Sequence, residues 1–137
     1  MSEYWSHSDE VTQAVCNVLE KCFENPELRE VAENFGKTVL FDYSDPDAQV
    51  WVRSQGGRVE WGGGIPPVEP DVELSLSSDD GHKVWCNKLN LVMALGRKKI
   101  KVKGSPAQLL KLAPMLTKAT PYYHEVLREM GKESIIL

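Results

Sequence analysis

The stretch DVELSLSSDDGHKVWCNKLNLVMALGRKKIKVKGSPAQLLKL, residues 71–112, decides how this 137-residue chain folds. Val72, Leu74 and Leu76 alternate with Glu73, Ser75 and Ser77, a period of two that predicts a strand with one buried face. Ser78-Asp79-Asp80 is a helix start, with carboxylates placed where the N-terminal dipole favours them, and Val84, Trp85 and Leu89 follow at helical spacing. Asn90 caps a further short turn through Met93, Ala94 and Leu95. Ile100 and Val102, between Lys99, Lys101 and Lys103, predict another strand, and Gly104-Ser105-Pro106 opens a helix by a cap followed by proline. Strand, helices, strand, helix is the order of an α+β domain.

Upstream, helices come first and strands after. Val11, Ala14, Val15, Val18, Leu19, Cys22 and Phe23 recur at i, i+3, i+4, i+7 and i+8, one stripe of a helix about four turns long, with Ser8 as its cap. Asn25-Pro26 opens a second helix carrying Leu28, Val31, Ala32 and Phe35, and Gly36 ends it. The period then falls to two. Val39, Phe41 and Tyr43 are separated from Val50 and Val52 by Ser44-Asp45-Pro46-Asp47, and Gln55-Gly56-Gly57-Arg58 leads on to Val59 and Trp61. Three sequential strands in an antiparallel meander are expected. Trp61-Gly62-Gly63-Gly64 has neither the Lys-Ser/Thr of a phosphate-binding loop nor a dinucleotide fingerprint, and reads as a flexible loop at the rim of a site.

Downstream, Leu109, Leu110, Leu112, Ala113, Met115 and Leu116 occupy most of a helix circumference, so that segment should meet apolar material on more than one side. Pro114 is expected to break or kink it. Thr120-Pro121 then begins a final helix bearing Tyr122, Tyr123, Val126, Leu127 and Met130, closed by Gly131.

Composition narrows the function classes. Hydrophobic residues at 42% and charged residues at 26% fit a single domain over residues 1–137. A net charge of -4 argues against a general nucleic-acid binder. Cys16, Cys22 and Cys86 cannot all pair with one another, their spacing fits no zinc site, and the sequence shows neither a secretory signal nor a transmembrane run. The expected location is the cytoplasm.

The order of elements is similar to the sterol carrier protein-2 (SCP2) sterol-binding family, of the bacterial or archaeal stand-alone type. Residues 71–77 look like that family's fourth strand. Asn87–Leu95, running into Lys99–Ser105, looks like its helix-then-strand signature. The resemblance implies a five-stranded mixed or antiparallel sheet with helices on one face and an apolar tunnel between them that accepts fatty acid, acyl-CoA, sterol-like or isoprenoid lipid. It implies no enzymatic activity and no cofactor. The C-terminal Ile135-Ile136-Leu137 is no peroxisomal address and reads as an exposed tail suited to docking or self-association. Monomer and homodimer both stay open.

With that resemblance, an apolar inventory too large for a closed sheet-helix sandwich becomes a ligand-binding set: Trp85, Leu89, Met93, Leu109, Leu112, Met115, Leu116, Tyr122, Tyr123 and Val126. The alternative is an ordinary packed core. A cavity of about 500 Å³, left empty at about 24 cal/mol per Å³, would cost about 12 kcal/mol, as much as a whole domain's stability. Either a lipid fills it or the last helices collapse inward. Arg97, Lys98, Lys99, Lys101 and Lys103 read as an edge strand guarded by cations, or as a contact for anionic membrane or a CoA phosphate. His82 has Asp79 and Asp80 nearby, but a general base needs a nucleophile or metal beside it and none is evident. The direct alternative to a carrier is an accessory subunit presenting a lipid intermediate to partner enzymes.

Overall fold

The computed structural model describes residues 2–137. Its elements run α1 (Ser8–Glu24), α2 (Pro26–Phe35), β1 (Thr38–Ser44), β2 (Ala48–Gln55), β3 (Arg58–Gly63), β4 (Val72–Ser77), α3 (Ser78–Trp85), α4 (Leu91–Gly96), β5 (Lys101–Lys103), α5 (Pro106–Leu110) and α6 (Ala113–Glu129), with a last 3₁₀ turn at Glu133–Ile135. The strands form one mixed sheet in the order β3-β2-β1-β4-β5. The meander is present, β1 against β2 and β2 against β3, with Gly56 and Gly57 both at positive φ in the tight turn between the last two. The chain then returns so that β4 lies parallel to β1, and β5 runs antiparallel to β4.

Register stacks the apolar alternation into one surface. Phe41 stands opposite Val50 on one side and Leu74 on the other, and Val39 opposite Val72. These residues are buried, as are Tyr43 and Leu76. The helices cover this inner face. Ala14, Val18, Val126 and Leu127, all without exposed surface, pack α1 against α6 over the sheet. The same stripe of α1 predicted from periodicity is buried throughout.

The structure corrects several expectations. His7, not Ser8, occupies the N-cap of α1, because the Glu10 carboxylate already accepts the amides of Ser6 and His7 at 2.8 and 3.1 Å. Gly62 and Gly63 are not loop residues but the end of β3, paired with Trp51 and Val50. Both serve close approach: a Cβ on Gly62 would stand 3.0 Å from the Trp51 ring, and one on Gly63 would stand 2.6 Å from Thr12 of α1. Pro114 does not kink a helix; it sits in the first turn of α6, where its missing N–H costs nothing. Pro121 does not begin one; α6 runs straight through it. Burial of Ala119, Tyr123, Val126 and Leu127 holds that helix as a unit, and Thr120 Oγ1 donates to the Trp85 carbonyl at 2.8 Å. The tail is not free either. Ile135 and Ile136 are half-buried against the core, and only Leu137 is exposed.

Helix α3 is seated by a glycine. A Cβ on Gly81 would lie 2.5 Å from Cε1 of Tyr43, whose ring is itself buried and has nowhere to swing. Gly96 of α4, by contrast, has open space around its Cβ position. Gly81→Ala should therefore destabilise the protein by about 1–3 kcal/mol through overpacking, whereas Gly96→Ala should stabilise it by roughly 0.4–1 kcal/mol. Chemical denaturation of the two variants checks the opposite signs.

Candidate binding site

The helices do not close over the whole inner face. Between the sheet and α1, α2, α3, α4, α5 and the start of α6 lies a narrow apolar hollow with about 60 Å³ of space for water-sized molecules. Phe41, Leu74 and Leu76 form its floor, Leu19 and Phe23 of α1 and Phe35 of α2 one wall, and Val84, Trp85, Leu91 and Leu109 the other. Leu112, Met115 and Leu116 roof it. Phe35, Val52, Val84, Leu112, Met115 and Leu116 are half-buried lining residues.

The few polar side-chain groups in this lining are engaged with their neighbours. Ser54 Oγ donates to the Ala32 carbonyl and accepts the Gly36 amide at 3.0 Å. Trp85 Nε1 donates to the Tyr43 hydroxyl at 3.3 Å, and burial pushes that hydroxyl's pKa upward. Nothing here resembles a catalytic constellation. Burial pushes the Cys22 thiol up to about 12 and raises Cys86 as well, so both remain protonated and unreactive at neutral pH. Among the described residues no group of three or more His, Cys, Asp or Glu could hold a metal ion, and no helix is long and apolar enough to cross a membrane.

Of the ten residues expected to bind ligand, the structure brings Trp85, Leu109, Leu112, Met115 and Leu116 together around the hollow. The other five lie elsewhere. Tyr123 and Val126 are buried on the core side of α6, and the Tyr122 hydroxyl accepts Asn25 Nδ2 at 2.9 Å, tying α6 to the cap of α2. Leu89 is half-buried in the link after α3, and Met93 is 51% exposed on the outer side of α4. Sequence reasoning missed the contributions of α1, α2 and the sheet, although alternation had already placed Phe41, Leu74 and Leu76 on the inward face. The cation cluster is divided: Lys101 and Lys103 lie on the solvent side of the edge strand, opposite Ser75 and Glu73, while Arg97, Lys98 and Lys99 occupy the link between α4 and β5.

His82 stands outside the hollow and is 1% exposed. Its Nε2 lies 2.8 Å from the Ile135 carbonyl, which can only accept, so Nε2 carries the proton. Nδ1 of the neutral ring then accepts the Tyr123 hydroxyl at 2.6 Å. With both nitrogens occupied and Tyr4 and Trp5 packed on the ring, His82 is a structural clasp for the tail.

The model of the SCP-2 sterol transfer family matches residues 17–117, the span that contains the whole sheet and most of the lining. The chain belongs to that family. Over 80 residues, 56% of its length, it is 36% identical to human hydroxysteroid dehydrogenase-like protein 2, but it spans only about a fifth of that relative, 19%. Among solved structures, it superposes on sterol carrier protein 2 from Yarrowia lipolytica in its apo form with a TM-score of 0.67 at 16% identity, covering 87% of this chain and 98% of that one. A structure described as a UbiJ-SCP2 ubiquinone synthesis protein gives 0.61 at 14% identity, covering 84% and 95%. At such identities these likenesses speak for the SCP2 fold.

Burial, with smaller contributions from His124 and Lys132, holds the pKa of His82 below its ordinary 6.5. The unfolded chain therefore takes up this proton first, so the stability His82 confers is complete above about pH 6.5 and falls as the pH drops below it. His82→Gln should cost about 1–3 kcal/mol at pH 7.5 by leaving the Ile135 carbonyl or the Tyr123 hydroxyl poorly paired. It should also flatten the loss of Tm between pH 7.5 and 5.5, which differential scanning calorimetry of both proteins reads.

Proposed function

We propose that this chain, as a single domain over residues 1–137, binds and carries a hydrophobic ligand in the hollow and performs no chemistry on it. The ligand class is fatty acid, acyl-CoA, sterol-like or isoprenoid lipid. The observation that carries this reading is the lining itself: apolar from floor to roof, with Ser54, Tyr43 and Trp85 already bonded to their neighbours. Such a site selects by length and width and leaves any polar head group in solvent. The narrowness of the hollow fits a wall that draws in when unoccupied, since an empty apolar cavity is costly. Family membership supports the same class of ligand.

The carrier works in the cytoplasm, where Cys16, Cys22 and Cys86 stay reduced. Transient contact with a membrane through Arg97, Lys98, Lys99, Lys101 and Lys103 belongs to this reading. Presentation of the bound lipid to a partner enzyme is the second one. It draws support from the shared fold with a protein named for ubiquinone synthesis, and from the human relative, whose matching region is a fifth of a longer chain.

Native mass spectrometry of freshly purified protein, followed by organic extraction, should reveal a stoichiometric lipid. A fluorescent fatty acid should bind one per chain, and Leu116→Trp, which fills part of the hollow, should weaken that binding about tenfold, equivalent to about 1.4 kcal/mol, with Tm nearly unchanged. Protein that extracts clean and binds no fluorescent fatty acid would overturn the carrier reading. Copurification of a stable protein partner with lipid still bound would favour presentation.

A further inference from the structure

The charge of this chain is segregated. Residues 81–124 contain nine lysines and arginines and no aspartate or glutamate, so they carry +9; the rest of the chain holds seven cations against all twenty carboxylates, -13. The acid-free segment contains α4, β5 and α5, whereas α1 and α2 are rich in glutamate. Among the described residues only Lys118 of these nine forms an ion pair, with Glu27, whereas four of the seven cations outside the segment, Lys21, Arg29, Arg128 and Lys132, are paired. Arg97, Lys98, Lys99 and Lys111 are exposed, whereas Lys103 stands opposite Glu73.

The same segment exposes aliphatic surface. Val92 and Met93 of α4 are 57% and 51% exposed and Leu110 of α5 is 36% exposed. Their neighbours in sequence point the other way: Leu91 and Leu109 are buried and line the hollow. Helices α4 and α5 therefore each turn one residue to the hollow and aliphatic side chains to solvent, with the exposed Arg97, Lys98 and Lys99 following α4 and the exposed Lys111 following α5.

We propose that α4, α5 and the links beside them are a docking face for an anionic lipid bilayer, with Val92, Met93 and Leu110 entering the interface and Arg97, Lys98, Lys99 and Lys111 lying against lipid phosphates. This face deepens the membrane contact of the carrier reading: passage of lipid between bilayer and hollow rests on that reading, and association with the bilayer is measured apart from it. Charge complementarity identifies the occupant: a bilayer needs both a cationic fringe and an apolar wedge, and two such signals together give stable association where one gives little. A nucleic acid would use the cations but leave aliphatic side chains idle, and it commonly calls for aromatic stacking platforms, which Val92, Met93 and Leu110 do not provide. The cations of residues 81–124 give an anionic surface a local partner despite the overall charge of -4.

The test uses the full chain in cosedimentation with phosphatidylcholine vesicles, with and without about 30% phosphatidylserine. The protein should bind only the anionic vesicles and release in about 0.5 M salt. Lys98→Glu with Lys99→Glu should weaken association at least about tenfold, and Val92→Ser with Met93→Ser about threefold or more with salt dependence retained. All four positions are exposed, so Tm and uptake of fluorescent fatty acid from solution should be unchanged in both variants. No association with anionic vesicles, association indifferent to both variants, or equal binding of a single-stranded RNA that competes with the vesicles would overturn the proposal. Loss of fatty-acid uptake in the wild-type protein, with vesicle binding intact, would remove the carrier reading and leave the docking face standing.

Discussion

The burial of one face of a five-stranded sheet is the constraint from which the rest of the structure follows, because the parallel pairing of β1 with β4 lines up Val39, Phe41 and Tyr43 beside Val72, Leu74 and Leu76 and produces an apolar surface wider than two helices can cover. Helices α1 and α6, with α3 held down on Tyr43 through Gly81, cover part of it with fully buried side chains such as Ala14, Val18, Val126 and Leu127. Over the remainder the cover is α2, the short helices α4 and α5, and the first turns of α6. The two regions do different work. The first supplies stability, and the thinly covered second part leaves the hollow.

Electrostatics reinforce this division. Over α4, α5 and the first turns of α6 the chain carries cations and no carboxylates, whereas α1 and α2 are acidic and Lys21 of α1 is paired with Glu125 and Glu129. Ionisable groups inside the fold are kept uncharged: the thiols by desolvation, His82 by desolvation despite the partly offsetting pull of Asp79. The lining therefore offers shape and apolar contact, within the stretch that matches the SCP-2 family.

Much of the fold was legible because period-two alternation over Val72–Ser77 and the stripe from Val11 to Phe23 each admit one reading. What the sequence could not announce was decided by distant neighbours. Pro121 looks like a helix start, but tertiary burial of Ala119, Tyr123 and Val126 carries α6 through it. Three glycines after Trp61 look like a loop, but the first two are needed where Trp51 and Thr12 approach the backbone. The candidate site was half legible for a related reason. Trp85, Leu109 and Leu116 fall at the hollow, yet Leu19 and Phe23 share a stripe with residues that only pack, and periodicity does not say where a core ends and a cavity begins. Six residues of α4 are too few to fix which side Met93 takes. The acid-free run from Gly81 to His124, in contrast, needs only counting.

Residues 2–3 and Ile135 are fastened to α3, one helical turn apart. Ser2 Oγ and the Glu3 amide donate to the Asp79 carboxylate at 2.6 and 2.8 Å, and the Ile135 carbonyl accepts from His82 three residues on. Residues 2–3 and 135 thus meet at one place, and a short peptide joining these two segments would leave the layers between them undisturbed if the chain were opened elsewhere. The exposed segment around Ile65, which leaves β3 and crosses to β4, is the natural opening. The covalent order of the elements is in that sense incidental to their packing, and a circular permutant of this domain would keep both the sheet and the space beneath its helices.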